Sequence, residues 1–216
     1  MPIQSRGYER AVNYAEFSVL LAHAGAEYSV FAPGDFAAVA GPGTREILVQ
    51  GGSAYGAGIF DVSEDTDPPV LLTGSPVATG NRWDLVVLHR DWEDAETSVQ
   101  LIEGGSVKSI PARDIGIGTA DDQPLWLARF TAGQSAVQEL VDVRCWFGSG
   151  GVAAKDQLVM SYLTRLGTHL RLPSGTWWRG FDGAGLPTWT KDPMILNGTA
   201  APATTLGDPG DVYFRR

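Results

Sequence analysis

Glycine and proline interrupt this chain so often that long helices have little room. The 216 residues include 27 glycines and 13 prolines, and these bound a series of short apolar runs. Such punctuation favours strands joined by tight turns. Strand candidates are 28–31, 36–40, 45–50, 54–60, 70–73, 82–90, 98–103, 124–130 and 136–147. The strongest is Arg82-Trp-Asp-Leu-Val-Val-Leu-His-Arg90. Trp83, Leu85 and Val87 share one side of it, and Val86 and Leu88 the other, so both sides are expected to be covered. Ala54 to Phe60 is rich in small residues, which predicts a bulge or a close crossing. The alternating strand–helix runs of a parallel α/β fold are missing. The expected class is mainly β: an antiparallel β-sandwich, jelly-roll-like.

Two stretches read as helices. Over residues 8–24, Tyr14, Phe17, Leu20, Leu21 and Ala24 recur at helical spacing before Gly25. Over 153–170, Val152, Val159, Leu163, Leu166 and Leu170 follow at intervals of seven, four, three and four. Two heptads do not make a stable coiled coil alone. The stripe either packs on its own domain or forms an oligomer interface. The organisation expected is a helix and sandwich over 1–147, a glycine joint and oligomerisation helix over 148–172, and a turn-rich arm over 173–216. The arm carries Trp177, Trp178 and Trp189.

Charge narrows the function classes. With 16 basic and 25 acidic residues the formal net charge is -9, unlike the positive footprint that nucleic acid or an anionic membrane requires. No apolar run approaches the roughly 20 residues of a membrane span, and the opening Met-Pro-Ile-Gln-Ser-Arg-Gly lacks a secretion-signal pattern. Cys145 is the single cysteine, which excludes an internal disulfide, and with three histidines it makes a structural zinc site hard to supply. No phosphate loop, dinucleotide fingerprint, nucleophile elbow or zincin motif is present. His89-Arg90-Asp91 has the order of a kinase catalytic loop, but Glu96 stands where an asparagine is needed. No enzyme activity is expected. No cofactor is expected either. Calcium on the acidic loops, at Asp61, Glu64, Asp65 and Asp67 or at Asp91, Glu93 and Asp94, is the one alternative kept. Trp177 and Trp178 are adjacent, so they cannot both enter one layer from a strand; one is expected to meet a neighbouring subunit or a glycan.

Several segments, read in order, resemble a known family. They are Gly52-Ser-Ala-Tyr-Gly-Ala-Gly58, Arg82-Trp-Asp-Leu-Val-Val-Leu-His-Arg-Asp91, Val99-Gln-Leu-Ile-Glu-Gly104, Pro124-Leu-Trp-Leu-Ala-Arg-Phe130 and Leu140-Val-Asp-Val-Arg144. Together with residues 13–24 they resemble the N-terminal region of minor tail and baseplate proteins of siphophages that infect actinobacteria, over about residues 8–147. The resemblance implies a β-sandwich assembled as a ring or trimer in the virion, with a structural role at the tail tip or baseplate. Its partners would be copies of itself and other tail proteins. The alternative is a receptor-binding protein for host-wall carbohydrate, with Trp177, Trp178 and Trp189 as the residues that would contact the glycan or a partner. Asp84 and Arg144 match the family's aspartate and arginine, which implies a structural ion pair between them.

Overall fold

The computed structural model describes residues 17–18, 27–63, 68–148, 150–193, 195–198 and 211–215. As expected, the chain is mainly β with largely antiparallel sheets. Numbered in chain order, the largest sheet contains Tyr28–Val30 (β1), Ser53–Gly56 (β4), Ile59–Val62 (β5), Cys145–Gly148 (β12), Gly151–Ala154 (β13), His169–Leu172 (β14), Gly175–Phe181 (β15) and Pro187–Lys191 (β16). Its order is β16-β15-β14-β13-β12-β1-β4-β5. A second sheet contains Asn81–Asp91 (β7), Glu96–Ile102 (β8), Ile115–Gly116 (β9), Ala120–Thr131 (β10) and Glu139–Asp142 (β11), in the order β11-β10-β7-β8 with β9 on β10. Ala38–Ala40 (β2), Glu46–Val49 (β3) and Val70–Thr73 (β6) form a third, ordered β2-β3-β6. Ile195–Gly198 (β17) and Val212–Arg215 (β18) pair in parallel.

The long strands β7 and β10 organise the interior. They pair from Ala120 opposite Asp91 to Thr131 opposite Asn81, with a register shift between Pro124 and Trp126. Pro124 has no N–H to give, so a bulge is a place where the ladder tolerates it. As the alternation predicts, the two sides of β7 enter different cores. Trp83, Leu85 and Val87 join Leu127, Val143, Cys145, Val159, Leu163 and Leu170. Val86 and Leu88 join Val30, Ile47, Val49, Ala54, Leu125 and Phe130.

The helix expected over 153–170 is not formed. Val152 and Ala154 alternate inward along β13, which pairs with β12. Asp156 caps a 3₁₀ turn at Gln157–Ser161 by accepting from the Leu158 N–H. Gly167 then takes a positive φ, and Leu170 and Leu172 alternate inward along β14. The heptad-like spacing therefore arises from two strands with period two, separated by one turn. Val152, Val159, Leu163 and Leu170 are only 6%, 0%, 1% and 0% exposed, so they seal this chain's own core and offer nothing to a second copy. Leu166, at 48%, is the one member of the expected interface on the surface. The glycine stretch expected as a joint closes a hairpin in which Gly148 pairs with Gly151. Strands β13 to β16 extend the sheet that holds β1 and β12. The helix expected over 8–24 lies outside the described residues except for Phe17 and Ser18, which are helical.

That short fragment explains the small residues between β4 and β5. Ala57 and Gly58 form the two-residue turn joining them, both with positive φ. A Cβ at Gly58 would stand 2.0 Å from the Ser18 carbonyl oxygen, and the Ser18 hydroxyl accepts from Trp92 Nε1 at 3.3 Å. Gly58→Ala is expected to cost about 1–3 kcal/mol, through a left-handed alanine and displacement of Ser18. Urea unfolding measures the loss, and faster proteolysis near residue 18 reports the displacement.

Candidate functional site

Where β7 ends and β10 begins, three polar residues of β10 (Asp121, Asp122 and Gln123) meet His89 and Arg90. Arg90 lies opposite Asp121 and His89 opposite Asp122, and residues opposite one another share a face. Arg90, 1% exposed, donates from Nε and Nη2 to Asp61 Oδ2 at 2.9 and 2.6 Å. Its Nη2 also reaches Gln123 Oε1 at 2.6 Å, and its Nη1 reaches Asp121 Oδ1 at 3.4 Å. Gly56, the last residue of β4, makes room for this: a Cβ there would stand 2.7 Å from both Arg90 Nη1 and Gln123 Oε1. The Tyr28 hydroxyl donates to Asp121 Oδ2 at 2.8 Å and accepts from Arg113 Nη1 at 3.2 Å. Burial raises the Asp121 pKa despite the opposing effects of Tyr28, Arg90 and Arg113. Burial, with Asp121 beside it, raises the Tyr28 phenol well above its ordinary value. Tyr28 therefore keeps its proton and serves as a donor.

A cleft of about 530 Å³ opens beside this network, lined by Glu27, Tyr28, Arg113, Asp121, Tyr162 and Arg165 among others. The Arg113 guanidinium carbon stands 5.3 Å from the Tyr28 ring centroid and 5.8 Å from that of Tyr162. Glu27 is engaged by the Thr164 N–H and hydroxyl at 2.7 and 2.8 Å. These groups hold one another and shape a polar wall. Among the described residues no nucleophile and base are set against each other here. The one thiol, Cys145, is buried, and burial pushes its pKa up to about 12, so it stays protonated.

One cluster has metal-ligand composition. Single ligand atoms of His89, Asp114 and Asp122 lie within 4.8 Å of one another. Asp122 is already engaged on both oxygens: His89 Nδ1 is 2.7 Å from Oδ1, and Oδ2 accepts from the Asp114 backbone N–H at 2.8 Å. Arg113 Nη1 donates to the Asp122 carbonyl at 2.7 Å, placing a fixed positive charge where a cation would add another. The acidic loops expected as calcium candidates divide in three. Asp61 is engaged by Arg90. Asp91 Oδ1 accepts from the Glu93 and Asp94 N–H groups, a local turn. Glu64, Asp65 and Asp67 lie outside the described residues.

The expected Asp84–Arg144 pair does not form, although both residues are buried. Asp84 receives Arg82 Nε and Nη2 at 2.7 and 2.8 Å and the Gly104 N–H at 3.1 Å. Arg144 donates from Nε and Nη2 to Asp142 at 2.8 and 2.7 Å, and from Nη1 to the carbonyls of Pro33 and Asp35. Its guanidinium lies 4.7 Å from the Trp126 ring centroid and 5.2 Å from that of Trp146. Each charge is paired with the residue two positions away, which an extended backbone places on the same side. The family resemblance made Asp84 and Arg144 look like partners; in the fold each is paired with the nearer residue of opposite sign, Arg82 and Asp142.

The tryptophans of the arm separate as adjacency requires. Trp177 and Trp189 pack against the first core, with Trp189 Nε1 donating to the Met160 carbonyl at 3.0 Å. Trp178 turns to the other face and is 37% exposed. The residues that sequence reasoning missed are Tyr28, Arg90, Arg113, Asp121 and Gln123. The available signal was the polar run Asp121-Asp122-Gln123 at the head of an otherwise apolar strand. No family model, curated protein or solved structure matches this chain.

Proposed function

We propose that this chain is a non-enzymatic structural protein of a phage tail tip or baseplate, assembling with copies of itself, as a trimer, and with neighbouring tail components. The observation that carries the reading is where the resembling segments sit. Arg82–Asp91, Val99–Gly104, Pro124–Phe130 and Leu140–Arg144 are far apart in sequence, yet they lie on or at the ends of β7, β8, β10 and β11, which are hydrogen-bonded neighbours in one sheet. These four segments thus belong to one structural unit, with the Arg82–Asp84 and Asp142–Arg144 pairs as ties within it, while Gly52–Gly58 lies on β4 of the eight-stranded sheet. The jelly-roll-like sandwich belongs to this reading, as the packing of that sheet against the eight-stranded one. Contacts between copies fall to surfaces other than the 152–170 stripe. The edge strand β5 exposes Phe60 and Val62, and Phe31 stacks on Phe60 with centroids 5.3 Å apart. An exposed aromatic cluster at a sheet edge supports an assembly role. The test is electron microscopy of purified particles of the phage that encodes this chain, labelled with an antibody to it. Label at the tail tip is the expected result, and particles that lack the chain altogether would overturn the reading.

A further inference from the structure

We propose that the cleft beside Arg113 binds a small organic anion: a carboxylate carried on an apolar body. At about 530 Å³ the cleft has the size of a small-molecule site. One wall comes from the segment between β8 and β10, which supplies Ile110, Pro111, Arg113, Ile115 and Ile117. Glu27, Tyr28, Tyr162 and Arg165 stand on the cleft as well. Arg113 differs from the other charges there because its donors are only partly used. Its Nη1 donates to the Tyr28 hydroxyl at 3.2 Å and to the carbonyls of Asp114 and Asp122 at 3.4 and 2.7 Å. Among the described residues Nε and Nη2 find no acceptor.

The acids of the cleft are in the reverse condition. Glu27 accepts from the Thr164 N–H and hydroxyl and from the Arg165 N–H. Asp121 accepts from the Tyr28 hydroxyl and from Arg90. A cation would have to compete with donors already in place. An anion meets unused N–H groups along one edge of a guanidinium, the edge that receives two carboxylate oxygens side by side. That guanidinium is held in advance: Nη1 is tied to its three acceptors, and the guanidinium carbon stands 5.3 and 5.8 Å from the ring centroids of Tyr28 and Tyr162. Little rotamer freedom is then lost on binding. Arg165 brings a second positive charge to the same cleft. Glu27 and Asp121 set the limit on ligand charge, since a dianion such as phosphate would carry more negative charge towards them. The apolar body follows from the wall. Ile115 is 69% exposed, and Ile110, Pro111 and Ile117 are half-buried. A hydrocarbon group beside the carboxylate would cover Ile115 while the charge meets Arg113.

The inference does not depend on the virion reading and is tested separately, on the isolated full chain, by ligand-observed NMR and calorimetric titration. The probes are benzoate and hexanoate, the neutral benzamide, the cationic benzylamine, inorganic phosphate, and an N-acetylated apolar tripeptide with a free C-terminal carboxylate. Benzoate or hexanoate is expected to bind, with benzamide and benzylamine weaker by about tenfold or more and phosphate weaker than either acid. If the tripeptide acid binds more tightly than both free acids, the same chemistry holds and its source is a chain end. Arg113→Gln should weaken benzoate binding by about tenfold or more. Arg113 also ties Tyr28 and Asp122, so Ala112, which is exposed and lines the cleft, supplies an independent handle. Ala112→Glu should weaken carboxylate binding several-fold and Ala112→Lys should tighten it, with urea midpoints unchanged in both. Absence of binding by any of the carboxylates, equal affinity for benzoate and benzamide, tighter binding of phosphate, or affinity indifferent to both Ala112 substitutions would each overturn the proposal.

Discussion

Arg144→Ala should destabilise the protein by about 3–5 kcal/mol, a large share of the stability of a domain this size. The side chain is 2% exposed. It makes a two-pronged ion pair with Asp142, donates to two loop carbonyls at 33 and 35, and fills the space between Trp126 and Trp146. Removing it strands a carboxylate that is only 8% exposed, and leaves two carbonyls without this donor. Lys155, itself exposed, still reaches Asp142 at 2.7 Å and recovers little of this. Arg144→Lys is expected to remain well below wild type, because one ammonium cannot reproduce the planar fork or stack between two indoles. Acidity gives an internal check. Burial alone would raise the Asp142 pKa, but hydrogen bonds from Arg144 and Lys155 outweigh it and hold the carboxyl below its ordinary value. A depressed carboxyl contributes stability above its unfolded pKa of about 3.9, and the contribution disappears as pH falls through the folded value. The gap between wild type and Arg144→Ala, read from urea midpoints, should therefore narrow in acid below about pH 4. A gap that is constant with pH would mean that packing against the indoles, and not the ion pair, accounts for the loss.

Arg90→Ala is the second large effect, again about 3–5 kcal/mol. Arg90 is the shared cation for Asp61 and Asp121 and donates to Gln123. Its loss leaves two poorly hydrated carboxylates near each other. Asp61→Asn should be milder, because Asp121 and Gln123 still accept from the guanidinium. The pH dependence again follows from position. Asp121 is already raised by burial, and Arg90 is one of the groups that opposes the rise. Without Arg90 the carboxyl rises further. A raised carboxyl weakens the fold above its folded pKa and ceases to do so once protonated, so the Arg90→Ala deficit should shrink as pH is lowered through that value. A deficit that grows on acidification would contradict this assignment of charges.

Periodicity and punctuation made the class and the two-sided burial of β7 legible. Trp83, Leu85 and Val87 separate cleanly from Val86 and Leu88 because a strand has one period and both faces were apolar. The same reasoning failed over 152–170, where an apolar residue every three or four positions is compatible with a helix and equally with two strands bracketing a turn. Ala154 and Leu172, two residues on from Val152 and Leu170 in the same strands, carried the period-two signal, and Gly167 marked the break. Charged residues were the least legible. A buried ion pair is chosen by the register between strands, which sequence does not display, except where partners are two apart, as at Arg82–Asp84 and Asp142–Arg144. The Arg90 network joins residues from β1, β5, β7 and β10, so no local pattern announces it. The adjacent Trp177 and Trp178 were readable because alternation alone forces them to opposite faces.

The account rests on a single chain closing its own interior with residues 152–170, which frees its exterior for assembly. Hydrogen exchange on peptides covering 150–172, measured at nanomolar and at high micromolar concentration, tests this most directly. Slow exchange in the β13 and β14 amides that is the same at both concentrations is the predicted result. Protection that appears only as the chains associate, or that spreads evenly through 153–170 as in one continuous helix, would contradict it.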